Sequence, residues 1–229
     1  WTIVRPLSMI VVYTVIFSQI MKAKLPGVDS EFAYSIYLCA GILTWGLFSE
    51  TVSRLQNVFL EQANLLKKIN FPRLSLPVIV VVNALVNFSI IFALFTLFLA
   101  FSGYFPGVVF VVLIRMLALQ ILFSLGLGVT LGVLNVFFRD VGQFFTVVLQ
   151  FWFWLTPVVY PASILPQKMQ TVLQYNPMTI LITSYQQILV NGVWPNWHTL
   201  WPVALVAVLL CAWGLKLFRE HAGEMVDEL

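Results

Sequence analysis

The sequence predicts an all-α integral membrane protein with six transmembrane helices, two short helices between the fifth and the sixth, and both termini in the cytoplasm. Of its 229 residues, 61% are hydrophobic and 9% are charged, and the mean hydropathy is +0.96. A soluble chain of this composition would aggregate, so lipid must be the solvent for much of its surface. The apolar runs are long and continuous, unlike the alternating segments of about ten residues in a transmembrane β-barrel.

The six spans are apolar runs bounded by charged or turn-forming residues. An apolar run of about 20 residues crosses the hydrocarbon core as a helix. The predicted spans are 3–21, 33–53, 75–101, 108–136, 141–160 and 199–218. They fill the chain so completely that residues 1–229 are predicted to be a single transmembrane domain, with no space for a separate soluble one.

Three segments between the spans are predicted to be helical without crossing the membrane. Residues 54–71 have the pattern of a polar, basic helix on the cytoplasmic side. Segment 166–175 begins with a proline, segment 178–191 follows one, and both are too short to span. We expect these two outer helices to lie at the interface or to re-enter the membrane.

The distribution of Lys and Arg sets the orientation, because cytoplasmic loops carry an excess of both. With six spans, the two termini share one side. That side carries Arg5, Arg54, Lys67, Lys68, Arg73, Arg139, Lys216 and Arg219, and the opposite side carries Lys22, Lys24 and Lys168. The side with eight basic residues is therefore predicted to be the cytoplasm.

Two polar features on the cytoplasmic side are candidates for contact with a soluble partner. The first is the helix 54–71 with the two residues that follow it. Its candidate side chains are Glu61, Asn64, Lys67, Lys68, Phe71, Pro72 and Arg73. The second is the pair Arg139 and Asp140, at the junction of the fourth and fifth spans. A solvated basic loop and a charged turn anchored at the membrane surface are the structural alternatives.

The fifth span contains the dense aromatic run FWFWLTPVVY at residues 151–160. Aromatic rings stack on the C–H faces of sugars, so this run is a candidate lining for a glycan path, with an interfacial aromatic belt as the alternative. The candidate side chains are Phe151, Trp152, Phe153, Trp154 and Tyr160. Phe151 and Trp154 can share one helical face, whereas Trp152 and Trp154 cannot. In a continuous helix, Trp152 would lie roughly 12 Å below Tyr160, although Pro157 is expected to kink or end the helix.

Two ionisable side chains lie inside predicted spans, where such residues are functional candidates. Arg115, in the fourth span, could face the substrate path or extend to the outer interface. Glu50 could pair with Arg54, one helical turn away. A proton relay would need several carboxylates or histidines in the spans, so ion-coupled transport is not favoured.

The sequence carries no catalytic or metal-binding motif. It has no GxSxG, HExxH or Walker-type GxxxxGK[ST] pattern, so the chain cannot bind ATP through a P-loop of its own. Cys39 and Cys211 lie inside apolar runs and are expected to be buried thiols rather than a disulfide. We therefore expect no cofactor, metal or catalytic residue on this chain, and no nucleic acid partner.

Five segments, in this order, resemble the permease subunits of ABC exporters that move O-antigen, capsular polysaccharide or teichoic acid. They are WTIVRPL at 1–7, KKINFP at 67–72, NVFFRDV at 135–141, FWFWLTPVVY at 151–160 and YNPM at 175–178. The O-antigen exporters are the branch that the chain resembles most. Members of the family carry a basic amphipathic segment before the first tryptophan, whereas this sequence starts at Trp1, so no contact of that segment is assigned.

The resemblance implies a transport subunit rather than an enzyme, located in the bacterial inner membrane. Two copies would form a homodimer with two copies of a separate ABC subunit that binds ATP and Mg²⁺, and the substrate would be a lipid-linked polysaccharide. Segment 54–71 would be the coupling helix that contacts the ATPase, and the aromatic run would line the sugar path. An ABC exporter of capsule, teichoic acid, drugs or small lipids, a membrane-embedded transferase acting on lipid-linked sugars, and a passive channel are the alternatives.

Overall fold

A computed structural model describes residues 32–67, 72 and 74–228, and every regular element within these ranges is a helix. The α-helices are α1 (Ala33–Glu61), α2 (Ala63–Leu66), α3 (Ser75–Phe101), α4 (Val112–Phe137), α5 (Asp140–Trp154), α6 (Gln167–Leu173), α7 (Pro177–Gln186), α8 (Trp197–His221) and α9 (Glu224–Glu228). Short 3₁₀-helices cover Gly107–Val111 and Ala162–Ile164, and a π-helix, Gln187–Asn191, extends α7. The predicted span 3–21 and residues Lys68, Phe71 and Arg73 lie outside the described residues.

Four of the described segments are long and apolar enough to cross a membrane. They are α1, α3, α8 and the continuous helical segment Gly107–Phe137, which contains α4. These segments confirm the prediction of an all-helical, membrane-spanning chain. The count of six spans and the cytoplasmic location of the termini stay predictions.

The second predicted span and the first part of the predicted cytoplasmic helix form one continuous helix, which ends at Glu61. α1 runs without a break for 29 residues. Residues 47–71 contain neither Gly nor Pro, so nothing in the sequence interrupts the helix where the apolar run ends. The predicted pair is present, because the Arg54 guanidinium lies 2.8 Å from the Glu50 carboxylate. The chain then turns at Gln62, and α2 ends at Leu66 rather than at residue 71.

The fifth predicted span, 141–160, is helical only as far as Trp154. α5 has 15 residues, which corresponds to a length of about 22 Å. Pro157 has no backbone N–H, and its ring would collide with the carbonyl four residues earlier, which favours a helix end before it. Tyr160 therefore does not continue the helix, in agreement with the expectation that Pro157 kinks or ends it, and the rise of a continuous helix does not apply between Trp152 and Tyr160.

The chain divides into two compact units. Unit 1 comprises the described residues within 1–46, 86–116 and 153–197, and unit 2 those within 47–85, 117–152 and 198–229. In unit 2, glycines of α4 allow neighbouring helices to approach closely. A Cβ atom at Gly126 would lie 2.5 Å from the backbone nitrogen of Cys211 on α8, and one at Gly132 would lie 2.6 Å from the carbonyl oxygen of Leu55 on α1.

In unit 1, α7 is the most deeply buried short helix. Its buried apolar side chains include Met178, Leu181, Ile182 and Tyr185. Asn176 caps its N-terminus, since its side-chain oxygen accepts a hydrogen bond from the Met178 N–H at 3.0 Å, and Pro177 occupies the first helical position, which favours helix initiation. α6 is mostly exposed, so the two predicted outer helices have opposite environments. Both cysteines are free thiols, and Cys39 is buried.

Candidate functional site

The candidate site is built around α5, whose start is fixed by Asn135 at the end of α4. The Asn135 side chain accepts a hydrogen bond from the Gly142 N–H at 2.8 Å and donates one to the Gln56 carbonyl at 2.9 Å. A single buried amide thus connects α4, α5 and α1. Asn135 belongs to the NVFFRDV segment, but no role was predicted for it from the sequence. The sequence feature that indicates a role for Asn135 is its strongly polar side chain about one helical turn before the helix is interrupted.

Arg139 and Asp140, the predicted docking pair at this junction, are both exposed. Asp140 lies in the first turn of α5, where a negative charge interacts favourably with the helix dipole. Neither residue forms an ion pair with any other residue that the structure describes. The geometry leaves both side chains accessible to a partner.

One face of α5 carries exposed polar and aromatic side chains together. Its exposed residues between 143 and 151 are Gln143, Phe144, Thr146, Val147, Gln150 and Phe151. They recur at spacings of three and four, which is the period of a helix face. Three of the six carry an amide or hydroxyl, so this face can form hydrogen bonds as well as apolar contacts.

The four consecutive aromatic residues at the end of α5 fall into two pairs. Phe151 and Trp154 are 67% and 65% exposed, in agreement with the prediction that they share a face. Trp152 packs edge-on against Phe48, with ring centroids 5.3 Å apart, and Phe153 packs against Trp45 at 5.6 Å. The structure therefore leaves two of the predicted path residues accessible and places the other two in packing contacts.

The turn at residues 155–160 carries backbone carbonyls that no helix satisfies. Two tyrosines of α1 reach them. The Tyr37 hydroxyl donates to the carbonyls of Tyr160 at 2.9 Å and Pro157 at 3.2 Å, and the Tyr34 hydroxyl donates to Val159 at 3.0 Å. Unpaired backbone groups are costly inside a membrane, so these hydroxyls make the break in α5 tolerable.

Gln186, the last residue of α7, is the third donor to the same turn. Its amide nitrogen lies 3.3 Å from the Val158 carbonyl and 3.4 Å from those of Pro157 and Tyr37. Gly41 makes this approach possible, because a Cβ atom there would lie 2.6 Å from the Val158 carbonyl oxygen. The sequence analysis missed Gly41 and Gln186, since neither forms a motif with the residues that it contacts.

Tyr160, a predicted path residue, is partly buried and closes the end of α5. Its hydroxyl donates to the Trp154 carbonyl at 2.8 Å, which satisfies one of the carbonyls left open at the helix terminus. Asn176 also reaches the turn, and its amide nitrogen lies 3.1 Å from the Thr156 hydroxyl. The described contacts of Tyr160 therefore make it a capping residue.

Arg115, the last predicted path residue, is exposed near the start of α4. Its guanidinium carbon lies 5.9 Å from the centre of the Trp197 ring, within the range of a cation–π contact. The structure does not bring Arg115 together with the aromatic side chains of α5 in any described contact.

The predicted coupling residues lie where α1 ends and α2 begins. Glu61, Asn64 and Lys67 are exposed, three residues apart, whereas Leu66 is buried in a cluster with Leu55 and other apolar side chains of unit 2. Pro72 is exposed as well, and the described structure does not include Lys68, Phe71 or Arg73. A buried leucine thus anchors a short segment that presents polar side chains outward.

Comparison with known proteins gives the same family across nearly the whole chain. The family model described as ABC-2 type transporter matches residues 1–190. An O-antigen export system permease protein from Klebsiella pneumoniae is 26% identical over 96% of this chain and 83% of its own length. One from Myxococcus xanthus is 29% identical over 100% and 86%. A polysialic acid transport protein from Escherichia coli is 20% identical over 99% and 86%.

Proposed function

The chain belongs to the ABC-2 type transporter family, and from this premise we propose that it is the membrane subunit of an ATP-driven exporter of a lipid-linked polysaccharide of the O-antigen type. It is a multi-pass protein of the bacterial inner membrane. Two copies form the translocation path, and two copies of a separate ABC subunit bind ATP and Mg²⁺. This chain is a transport subunit and not an enzyme.

The observation that carries the proposal is the polarity of the exposed face of α5. On α8, every exposed side chain from Trp201 to Leu215 is apolar, as expected for a surface that faces lipid. The exposed face of α5 instead includes Gln143, Thr146 and Gln150 beside Phe151. Polar side chains in a membrane helix face a water-filled cavity or another subunit, so α5 is the helix suited to border a hydrated path.

The same face has the chemistry that a sugar chain requires. Amides hydrogen-bond to sugar hydroxyls, and the exposed rings of Phe151 and Trp154 stack on sugar C–H faces. Such contacts are weak and independent of sequence, as on the aromatic platforms that bind single-stranded nucleic acids, so a polymer can move past them. An apolar drug or a small lipid would use the rings but not the amides. The names of the relatives favour a polysaccharide.

Export depends on force from the ATPase reaching the membrane helices. We propose that ATP-driven closure of the partner subunits presses on the segment from Glu61 to Arg73. The two membrane subunits then rock and open the path between them, while α6 and α7 close its exit to ions. The exposed side chains of Glu61, Asn64 and Lys67 support this role. The segment that carries them is attached to the apolar core of unit 2 by the buried side chain of Leu66.

Co-purification tests the subunit composition. The protein, extracted in detergent from its native membrane, should retain a P-loop ATPase in equal copy number, and the complex should hydrolyse ATP. Lys67→Glu combined with Lys68→Glu should abolish this retention, whereas Lys168→Glu on α6 should not. Recovery of the chain alone, without ATP turnover, would favour the membrane transferase or the passive channel.

The path is tested by removing its exposed rings. Phe151→Ala combined with Trp154→Ala should lower the polysaccharide export rate about tenfold or more, since each lost stacking contact is worth about 1 kcal/mol, while ATPase binding persists. Trp213→Ala, which removes an exposed ring from the apolar face of α8, is the matched control. Equal export in the double variant and the control would contradict the proposed path. Loss of drug or small-lipid efflux alone would change the substrate class.

A further inference from the structure

Arg115 is a charged side chain on an otherwise apolar, exposed stripe of a membrane helix. Its exposed apolar neighbours in unit 1 are Val111, which ends the 3₁₀-helix before α4, and Ile114 on α4. A guanidinium inside a span is costly unless it finds an anion, water or both. The surroundings of Arg115 therefore have to supply a counter-charge, water or both.

The described chain of unit 1 supplies no counter-charge. Its described residues, 32–46, 86–116 and 153–197, contain no Asp and no Glu. In the part of the chain that the structure covers, Arg115 forms no ion pair, and its described interaction is the contact with the Trp197 ring. A ring covers one face of the planar guanidinium, and the N–H groups at its edge point elsewhere.

The position of Trp197 shows which anion is available. Trp197 begins α8, and both it and Trp194 are large, exposed aromatic side chains. Exposed tryptophans at a helix end sit at the level of the lipid headgroups. Because Arg115 lies against Trp197, its guanidinium lies at the depth of the lipid phosphates, and the fork of an arginine matches the oxygens of a phosphate.

We propose that Arg115, stacked on Trp197, binds the headgroup phosphate of a bilayer phospholipid in the leaflet where α8 begins. The guanidinium edge donates to the phosphate oxygens, Trp197 covers its face, and the acyl chains lie along Val111 and Ile114. The inference is independent of which substrate is exported. It replaces the prediction that Arg115 lines the substrate path.

The test measures phospholipid binding to the complex of this chain with its ATPase subunit. Phosphatidylglycerol or phosphatidylethanolamine is titrated into the detergent-solubilised complex, and bound lipid is counted by native mass spectrometry. Arg115→Gln should lower the affinity for the most tightly bound lipid about tenfold, the loss expected when a hydrogen bond to a charged group is removed. Arg115→Lys keeps the charge but loses the planar guanidinium, so its lipid affinity should be intermediate. Trp197→Leu should weaken lipid binding more than Trp197→Phe.

Two controls make the result decisive. Lys168→Gln removes the other described cation of unit 1, and equal weakening by it would indicate general electrostatic attraction and overturn the site. A polyprenyl diphosphate added to the wild-type complex distinguishes a bilayer phospholipid from the lipid carrier of a lipid-linked substrate as the source of the bound phosphate. If that compound bound at Arg115 and neither phospholipid did, the bilayer-lipid proposal would be wrong. Unchanged binding in Arg115→Gln, with the thermal unfolding temperature preserved, would also overturn it.

Discussion

The two units of the protein are stabilised in different ways. In unit 2, the long middle of α4 meets its neighbours through glycines, and Gly126 and Gly132 leave no room for a side chain. In unit 1, side-chain hydroxyls and an amide reach the open carbonyls of residues 157–160. The difference depends on whether the helix is continuous. The backbone groups of an unbroken membrane helix are hydrogen-bonded within the helix, so its neighbours need only pack closely against it. An interrupted helix leaves carbonyls open, and these need hydrogen-bond donors from other segments.

Asn135 supports this rule within unit 2. It lies at the junction of α4 and α5, where the helix is interrupted, and there a buried amide again supplies the missing hydrogen bonds. The four predictions below test the rule by comparing the loss of a close contact with the loss of a donor. They run from the largest expected change in the free energy of unfolding to the smallest.

Gly132→Ala should give the largest loss of stability. The added Cβ atom would lie 2.6 Å from the carbonyl oxygen of Leu55, and this backbone atom cannot move without separating α4 from α1. The expected cost is about 3 kcal/mol, measured by thermal or denaturant unfolding in one fixed detergent. Gly46→Ala is the control, because its Cβ would meet no atom within 4 Å. Equal stability of the two variants would show that contact across α4 is looser than described.

Asn135→Ala should have the next largest effect. It removes the acceptor for the Gly142 N–H and the donor to the Gln56 carbonyl. Leaving these buried groups unpaired should cost about 2 kcal/mol, again measured by unfolding. Asn83→Ala removes an exposed asparagine from α3 and should change little. A loss in Asn135→Ala no greater than in this control would mean that the α4–α5 junction does not depend on the amide.

Tyr37→Phe should cost about 1 kcal/mol, because it removes one hydroxyl and leaves the ring in place. The Tyr37 hydroxyl and the Gln186 amide both approach the Pro157 carbonyl. The double variant with Gln186→Leu should therefore lose more than the sum of the two single variants. Strict additivity would show that the two donors act independently. Gln187→Leu, at the exposed neighbouring position, is the control for the leucine substitution.

Arg54→Gln should have the smallest effect, about 0.3 kcal/mol, because an exposed pair one helical turn apart contributes little. The two side chains are 48% and 34% exposed. The difference from wild type should disappear at high salt, which screens surface charges. A loss as large as that of Gly132→Ala would mean that charge, rather than close packing, stabilises unit 2.

Helix positions were predictable from the sequence wherever the apolar run and the helix end together. α3 has the bounds of the predicted third span, 75–101. The bounds of the helices differ from those of the predicted spans where hydropathy and backbone geometry disagree. α1 continues past its apolar run to Glu61, since a helix does not end because its residues become polar, and α5 ends six residues before its apolar run does, since Pro157 removes a hydrogen bond.

For the candidate site residues, the sequence indicated which side chains share a helix face but not which residues they contact. The spacing of Phe151 and Trp154 correctly indicated a common face. It could not show that Trp152 packs on Phe48 or that Tyr160 closes the end of α5, because those contacts join residues distant in the sequence or follow from the turn. Gly41 and Gln186 were missed for the same reason.

The residue that position 41 can carry depends on the end of α5 before Pro157. The backbone at Val158 occupies the space that any side chain at position 41 would need, and it does so only because α5 has ended. A related chain that lost Pro157 and extended this helix would be free to carry a larger residue at position 41. A related chain that kept the proline would not. Substitutions at these two positions should therefore co-vary during evolution, although the positions lie 116 apart in the chain.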